Sequence, residues 1–509
     1  MTPPHVVVIG HGMVGARFAE QVRSHDPDGR RVRLTILAAE PRPAYNRVLL
    51  PNLLSGVMVE EDFIPNEHSL LPQHTDLRTG TTAIRVDPAS RTVTTRADVR
   101  MRYDALVLAT GARAHVPPVS GIGCRCVTAL RSLADARRLS ALAQAARRGH
   151  GRIAVLGGGV LGLEAARALA ARGTAVTVVH RGAHLMDRQL DAPGGRVLAA
   201  ALRRTGVEIL LGARATRWEC RRGLWLEDKT LLRCSGLLLS TGTVPETGLA
   251  RDACLKLTDS GAVAVDDTLA TSDPNVYAIG DCAGHPAAAG GLVQPGWEQA
   301  AVLASRLTGA SPAARYLGST DVTRLKATGI ELTCLGSPFP EPGDPSYEVL
   351  RFEDLTRERY AKLVLDGGRV SGAILIGLPD AAAGLVRLYD RGVPAPADRL
   401  ALLLGRALPP DGPGGPAGPG ALPEHAVVCR CNTVTKAQLR TAWYGGATTR
   451  AALSCATRAA TGCGGCGDDL DAFAAWLTQI DPTRIEPTRI EPTAIEPTPI
   501  DPDKEPALR

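Results

Sequence analysis

Short apolar runs alternate with Ala/Leu/Arg-rich segments through the first four-fifths of the chain, up to about Leu408. The first run, His5-Val6-Val7-Val8-Ile9, passes into small residues and then a helical segment, Ala16–Ser24, before a second run at Leu34–Leu37. The order repeats at Arg152–Leu156 and Ala175–Val179. Three more runs end in small residues, at Tyr103–Gly111, Leu237–Gly242 and Asn275–Asp281. Runs that are continuously apolar suit strands buried on both faces. Their alternation with helical segments predicts parallel α/β sheets. Strands are also expected near Tyr360–Leu365 and Arg369–Ile376, and helices over Thr435–Tyr444 and Thr449–Thr457.

Two stretches break this pattern. Leu408 to Glu424 reads LPPDGPGGPAGPGALPE, a Pro/Gly linker with no residues for a core. A pentad beginning I-[DE]-P recurs at Ile480, Ile485, Ile490, Ile495 and Ile500, and a proline every five residues forbids a regular helix. Residues 480–509 are therefore expected to form a disordered, Pro-rich tail, with a docking role as the other reading.

Composition narrows the classes. At roughly 100–200 residues per domain, 509 residues predict three or four domains. Apolar residues at 44% and charged residues at 22% exclude a wholly disordered chain. Aromatics at 4% argue against stacking platforms for single-stranded nucleic acid, and a net charge of +6 is too thin for a DNA-binding face. No apolar run approaches the ~18 residues of a membrane helix, and the N-terminus lacks a basic segment followed by an apolar signal core. With 12 cysteines in so long a chain, reduced or metal-bound thiols in a cytoplasmic protein are expected rather than a secreted disulfide framework.

The chemistry begins at Gly10-His11-Gly12-Met13-Val14-Gly15, between a strand and a helix. Glycines there allow a tight turn, close approach of backbone to a pyrophosphate, and helix–sheet packing. Glu40, after the next strand, offers a carboxylate to a ribose hydroxyl. Gly157-Gly158-Gly159-Val160-Leu161-Gly162 repeats the motif, so two nucleotide folds are expected. At the end of the following strand His180 and Arg181 stand where a ribose-binding acid would be. Arg181 there admits a 2′-phosphate, hence NADPH, and a solvated strand end is the alternative.

These residues resemble the two-dinucleotide-binding-domain flavoproteins of the pyridine nucleotide-disulfide oxidoreductase type, over about residues 5–310. The resemblance implies FAD contacts at Gly10, Gly12, Gly15, Glu40, Arg47, Thr110, Gly111, Gly280 and Asp281. It implies NAD(P)H contacts at Gly157, Gly159, Gly162 and Glu164, with Arg181, Thr241 and Gly242 joining the same cofactor-binding set. Within the family, the stretches Glu40–Val48, Leu185–Asp191 and Gly291–Gln299 are similar to the flavoprotein part of NAD(P)H-dependent assimilatory nitrite reductases. Many relatives carry a lysine where Asn52 stands, paired with the carboxylate that corresponds to Glu164. That pair cannot form here, which weakens Glu164 as a catalytic candidate, and no catalytic side chain is assigned. Residues 319–405 resemble the small α/β C-terminal domain of rubredoxin and nitrite reductase relatives, where Lys326 is read as a surface lysine or as one approaching the flavin.

Four cysteines remain grouped: Cys429-Arg430-Cys431 and Cys463-Gly464-Gly465-Cys466. Two close thiolate pairs suit zinc or a [2Fe-2S] cluster. The one-residue gap is unusual for structural zinc, and the adjoining glycines bring backbone amides to the sulfurs. Residues 425–477 resemble the bacterioferritin-associated-ferredoxin-like [2Fe-2S] domain. The other eight cysteines, among them the tight Cys124-Arg125-Cys126, are read as bland, and no redox dithiol stands near Arg47–Gly56.

The expected fold class is thus α/β, with two Rossmann-like dinucleotide-binding domains, a small α/β C-terminal domain and a tethered small helical [2Fe-2S] module. The expected division is a discontinuous FAD domain (1–118 and 245–312), an NAD(P)H domain (119–244), a small domain (319–405), a linker (408–424) and the cluster module (425–477). What the resemblance implies is an enzyme that passes electrons from NAD(P)H through FAD and a [2Fe-2S] cluster to a protein acceptor. That acceptor is an assimilatory nitrate reductase catalytic subunit, or a nitrite reductase. The sequence lacks the further cysteines of a sirohaem-bearing domain, so it is expected not to reduce nitrite itself. The alternatives are a reductase of rubredoxin, ferredoxin or an iron-storage protein, or a flavoprotein regulated by a redox- or iron-sensing cluster.

Overall fold

A computed structural model describes residues 2–60, 74–288, 290–327, 329–405, 419–424, 426–429, 434–460 and 466–481. Two five-stranded parallel sheets form its centre. In the first, strand His5–Ile9 lies between Arg33–Leu37 and Ala105–Leu108, with Thr75–Arg78 and Val276–Ala278 at the edges. In the second, Arg152–Leu156 lies between Ala175–Val179 and Gly236–Leu239, with Val207–Leu210 and Val127–Thr128 outside them. The central strands bury both faces, with Val7, Val8, Ile153 and Val155 all at 0% exposure, which is why they are uniformly apolar.

Register sets the site. Ile9 pairs with both Leu37 and Leu108, and Leu156 with both Val179 and Leu239. Each sheet therefore ends its carboxyl edge at one level, with a glycine turn directly beyond it. The chain passes between the sheets through an antiparallel ribbon, Ala112–Ala114 against Thr243–Pro245.

The small domain is a five-stranded antiparallel sheet, covered by helix Pro379–Arg391. It holds the second sheet unit through a buried polar cluster. Asp191 caps helix Ala192–Arg204 by accepting from the Gly194 amide, and also accepts from the Tyr360 hydroxyl at 2.6 Å and the Lys362 ammonium at 3.2 Å. Lys362 is fully buried and donates as well to Glu341 at 2.9 Å.

The last unit pairs a short hairpin, Val427–Cys429 with Val434–Thr435, and three helices, Lys436–Tyr444, Arg450–Thr457 and Gly467–Ile480. The sequence placed the first two helices one residue early because Thr435 and Thr449 are their caps, each accepting a backbone N–H with its hydroxyl. Leu439, Trp443, Leu453, Leu470, Phe473 and Leu477 form the core.

The Pro/Gly linker differs from expectation at its C-terminal end. Pro419–Ala421 is a 3-10 turn, and the Lys436 ammonium donates to the carbonyls of Gly420 and Leu422 while lying over the Trp476 ring. Ile480, the first residue of the pentad repeat, closes a helix instead of opening a tail. Residues 482–509, 406–418 and the Lys326 side chain lie outside the described residues. Among the described residues no helix is long and apolar enough to cross a membrane.

Candidate functional site

The two glycine motifs fold into the same turn, and each glycine has its own reason. Gly10 and Gly157 have φ of +112° and +119°, and a Cβ on either would stand 2.2 Å from the Ala109 carbonyl oxygen or 2.1 Å from that of Ser240. Gly15 and Gly162 sit on the first helical turn, where a Cβ would strike the carbonyl of Gly10 or Gly157. Gly12 and Gly159 cap helices Met13–His25 and Val160–Ala171, and a Cβ there would meet nothing within 4 Å. Open space before a helix N-terminus, with unspent N–H groups facing it, is an anion site.

On the first sheet, Glu40 pairs with Arg47 and accepts from the Tyr45 hydroxyl at 3.0 Å. Arg47 also donates to the Arg131 carbonyl at 3.1 Å. Asp281, in the turn Gly280–Cys282, pairs with Arg131 at 3.4 Å. Sequence reasoning missed Arg131, which lines the cleft and whose buried Nε has no hydrogen-bond partner among the described residues. It also missed Gln299, whose buried amide oxygen accepts from the Gly280 N–H at 2.7 Å. The Gly291–Gln299 stretch could have flagged it: this segment starts helix Val293–Leu307, and its Trp297 donates to the Met13 carbonyl at 3.1 Å. Thr110 spends its hydroxyl on the Glu246 carbonyl, so only its backbone and Gly111, at φ +71°, face the cleft.

The second sheet repeats this. Thr241 donates to the His115 carbonyl at 3.0 Å, while Gly242, at φ +104°, is open. His180 is not a solvated strand end; it is buried, accepts from the Gly158 amide through Nδ1 at 3.2 Å, and burial keeps its pKa below the usual value. Arg181 beside it is exposed and lines the cleft. Glu164 lines the cleft from helix Val160–Ala171, and Asn52, where relatives carry lysine, directs its amide to the Met58 sulfur at 3.8 Å.

Of the four grouped cysteines, Cys429 is buried at the end of its strand and Cys466 is buried at the N-cap of helix Gly467–Ile480. A helix N-terminus favours thiolate. Cys431 and Cys463 lie outside the described residues.

One cavity of about 2800 Å³ joins these features. Its wall runs from Gly10–Val14 and Glu40 through Arg131 and Asp281 to Gly157–Leu161 and Arg181, and on to Cys429, Cys466 and Phe473. The open turns at Gly12 and Gly159 and the unpaired Arg131 Nε fit a pyrophosphate cofactor on each sheet. The cysteine unit fits a thiolate-held cluster.

Comparison with known proteins agrees with this geometry. Residues 4–303 match the family described as pyridine nucleotide-disulphide oxidoreductase. Residues 322–385 match the rubredoxin NAD+ reductase C-terminal domain, and 427–475 the BFD-like [2Fe-2S] binding domain. The chain is 35% identical to the nitrite reductase [NAD(P)H] large subunit of Klebsiella oxytoca, over 92% of this chain and 48% of that protein. It is 30% identical to the assimilatory nitrate reductase electron transfer subunit of Bacillus subtilis, over 95% of this chain and 61% of that protein. The chain thus spans about half the length of the curated relatives it matches. Among solved structures, a NAD-dependent persulfide reductase from A. fulgidus shares the fold at a TM-score of 0.67 and 24% identity, over 77% of each chain.

Proposed function

The chain belongs to the pyridine nucleotide-disulphide oxidoreductase family, and from that premise we propose an NAD(P)H-dependent electron-transfer flavoprotein that delivers electrons to the catalytic unit of an assimilatory nitrate or nitrite reductase. The observation that carries the reading is the single cavity whose wall holds both glycine turns and the two described cluster cysteines. Bound FAD supplies the change from hydride to single-electron transfer, which suits a one-electron [2Fe-2S] acceptor.

The chain's residues bind and orient. Gly10, Gly12 and Gly15, with Gly280 and Asp281, would hold the FAD pyrophosphate and ribityl chain, and Glu40 the ribose, oriented by Arg47 and Tyr45. Arg131 neutralises Asp281 at the same wall. Gly157, Gly159 and Gly162 would hold NAD(P)H, with Glu164, Thr241 and Gly242 along the same cleft and Arg181 at its rim. Cys429, Cys431, Cys463 and Cys466 would ligate the cluster. No side-chain acid or base is needed for hydride transfer, so none is assigned.

The test is reconstitution with NAD(P)H and either a nitrate reductase catalytic subunit or a nitrite reductase, beside absorption and EPR spectra of the purified protein. Acceptor reduction with flavin bands and a cluster signal is expected; reduction of neither acceptor removes the nitrogen assignment. Cys463→Ser should abolish acceptor reduction and leave artificial-dye reduction intact. Altered dye reduction in that variant would favour a sensing cluster. A second reading, a ferredoxin-type carrier as acceptor, is favoured by 32% identity over 56% of this chain to a biphenyl dioxygenase system ferredoxin–NAD(+) reductase component from Paraburkholderia xenovorans. Transfer to a ferredoxin and to neither reductase would establish it.

A further inference from the structure

Three cysteines that the sequence left as bland residues meet on the second sheet unit. Cys124 and Cys126 stand in the turn before strand Val127–Thr128, and Cys220 stands in the turn between strands Ala215–Glu219 and Gly223–Leu226. Nearly one hundred residues separate them in the chain, yet their Sγ atoms all lie within 4.8 Å of one another. Three thiolates around one cation at the usual metal–sulfur length of about 2.3 Å stand roughly 4 Å apart, so small rotations bring this trio to bonding positions.

One sulfur of the trio already accepts an N–H. The buried Trp218 indole donates its N–H to Cys124 Sγ at 3.1 Å. N–H donors aimed at a ligating sulfur orient it and offset its charge. Cys124 and Cys126 are half-buried and Cys220 is exposed, which leaves one side of the trio open to solvent.

We propose that Cys124, Cys126 and Cys220 form a three-thiolate site for a thiophilic closed-shell cation, Cu(I) or Zn(II), with its outer position open to solvent. Soft thiolate sets select these ions. Binding forms three metal–sulfur bonds, releases one proton from each thiol to solvent, and changes no oxidation state. The site would also clamp a cavity wall. The Ser120 amide donates to the Thr216 carbonyl at 3.1 Å and the Trp218 amide to the Ser120 carbonyl at 2.7 Å, tying the two cysteine-bearing segments together where Val119 and Thr216 line the nucleotide cavity.

The experiment uses holoprotein with its flavin and cluster in place, thiol-reduced and anaerobic, titrated with Zn(II) or with Cu(I) against a chromophoric chelator. One equivalent should bind at least tenfold more tightly to the wild type than to Cys220→Ser or Cys124→Ser, while Cys254→Ser, at another exposed cysteine, matches the wild type. The bound ion should also protect Cys220 from alkylation, read by mass spectrometry. Flavin content and dye reduction unchanged in Cys220→Ser report an intact fold. Binding of only one of the ions identifies the cation and supports the site. Equal affinity in wild type and Cys220→Ser, or no binding of either ion below millimolar concentration, overturns it. So does a trio that forms a disulfide in air and, once re-reduced, binds neither ion.

Discussion

At Gly12 and Gly159 an added methyl group meets empty space, whereas at Gly10 and Gly157 it meets backbone about 2 Å away at positive φ. The two kinds of glycine should therefore fail differently. Gly12→Ala should leave the flavin-free protein folded with an unchanged thermal midpoint but cut its flavin content severalfold. Gly10→Ala should lower stability itself by about 1–3 kcal/mol or more, seen in denaturant unfolding. A loss of stability in Gly12→Ala would show that its role is packing. His11, between these glycines, carries a pH signature. Burial pushes its imidazole down to about 4, and its Nδ1 has no partner among the described residues. Below its unfolded pKa of ~6.5 the unfolded chain binds the proton that the folded chain refuses. This contribution is complete above pH ~6.5 and fades as pH falls towards 4. Flavin-free protein should lose about 2 kcal/mol between pH 7 and 5 that His11→Gln does not lose. Arg181 lines the cavity at the end of its strand, exposed where a nucleotide ribose would lie. Arg181→Asp should shift the kcat/KM ratio of NADPH to NADH at least tenfold towards NADH; an unchanged ratio would leave Arg181 no part in the choice of nucleotide.

The elements meet through a group that no periodicity reveals. Leu185–Asp191 follows its strand as an irregular loop, and its final carboxylate is buried against Tyr360 and Lys362 of the small domain. Lys362→Met leaves that carboxylate without its cation, which should cost about 3–5 kcal/mol, whereas Lys362→Met with Asp191→Asn should recover most of it. Urea unfolding of the single and double variants measures the difference. Cys334 belongs to the same seam: it is buried, donates its thiol to the Gln189 carbonyl at 3.0 Å, and has its pKa pushed up to about 12 by burial. Burial of that kind suits a packing residue; the reading of all eight ungrouped cysteines as bland did not foresee that Cys124, Cys126 and Cys220 come together, because a turn and a distant hairpin meet only in the fold.

Across the whole molecule, the cysteine unit lies against the first sheet unit through an ion pair between Arg458 and Glu20. Glu20 also pairs with Arg17 on the helix that starts at the first glycine turn. The contact is partly exposed, so its effect should be small and sensitive to salt. Glu20→Arg should slow reduction of the cluster by NAD(P)H a fewfold in stopped-flow at low ionic strength, and Glu20→Arg with Arg458→Glu should restore it. Equal rates in all three proteins would mean that this contact does not set the docked geometry.

What the sequence determined by itself was local. Apolar runs buried on both faces, glycines that only a tight turn requires and paired cysteines are fixed by neighbours a few residues away, and so they read directly as α/β units with their turns. What only the tertiary structure decided was the pairing of distant groups: Arg131 with Asp281, Gln299 with the Gly280 amide, Asp191 with Lys362, and three scattered cysteines in one place. For Asp191, Lys362 and Gln299 the partner is selected by burial, which denies each of them water and makes the other its replacement; the others meet because packing brings distant segments side by side. Burial is a property of the packed chain, and no spacing along the sequence encodes it.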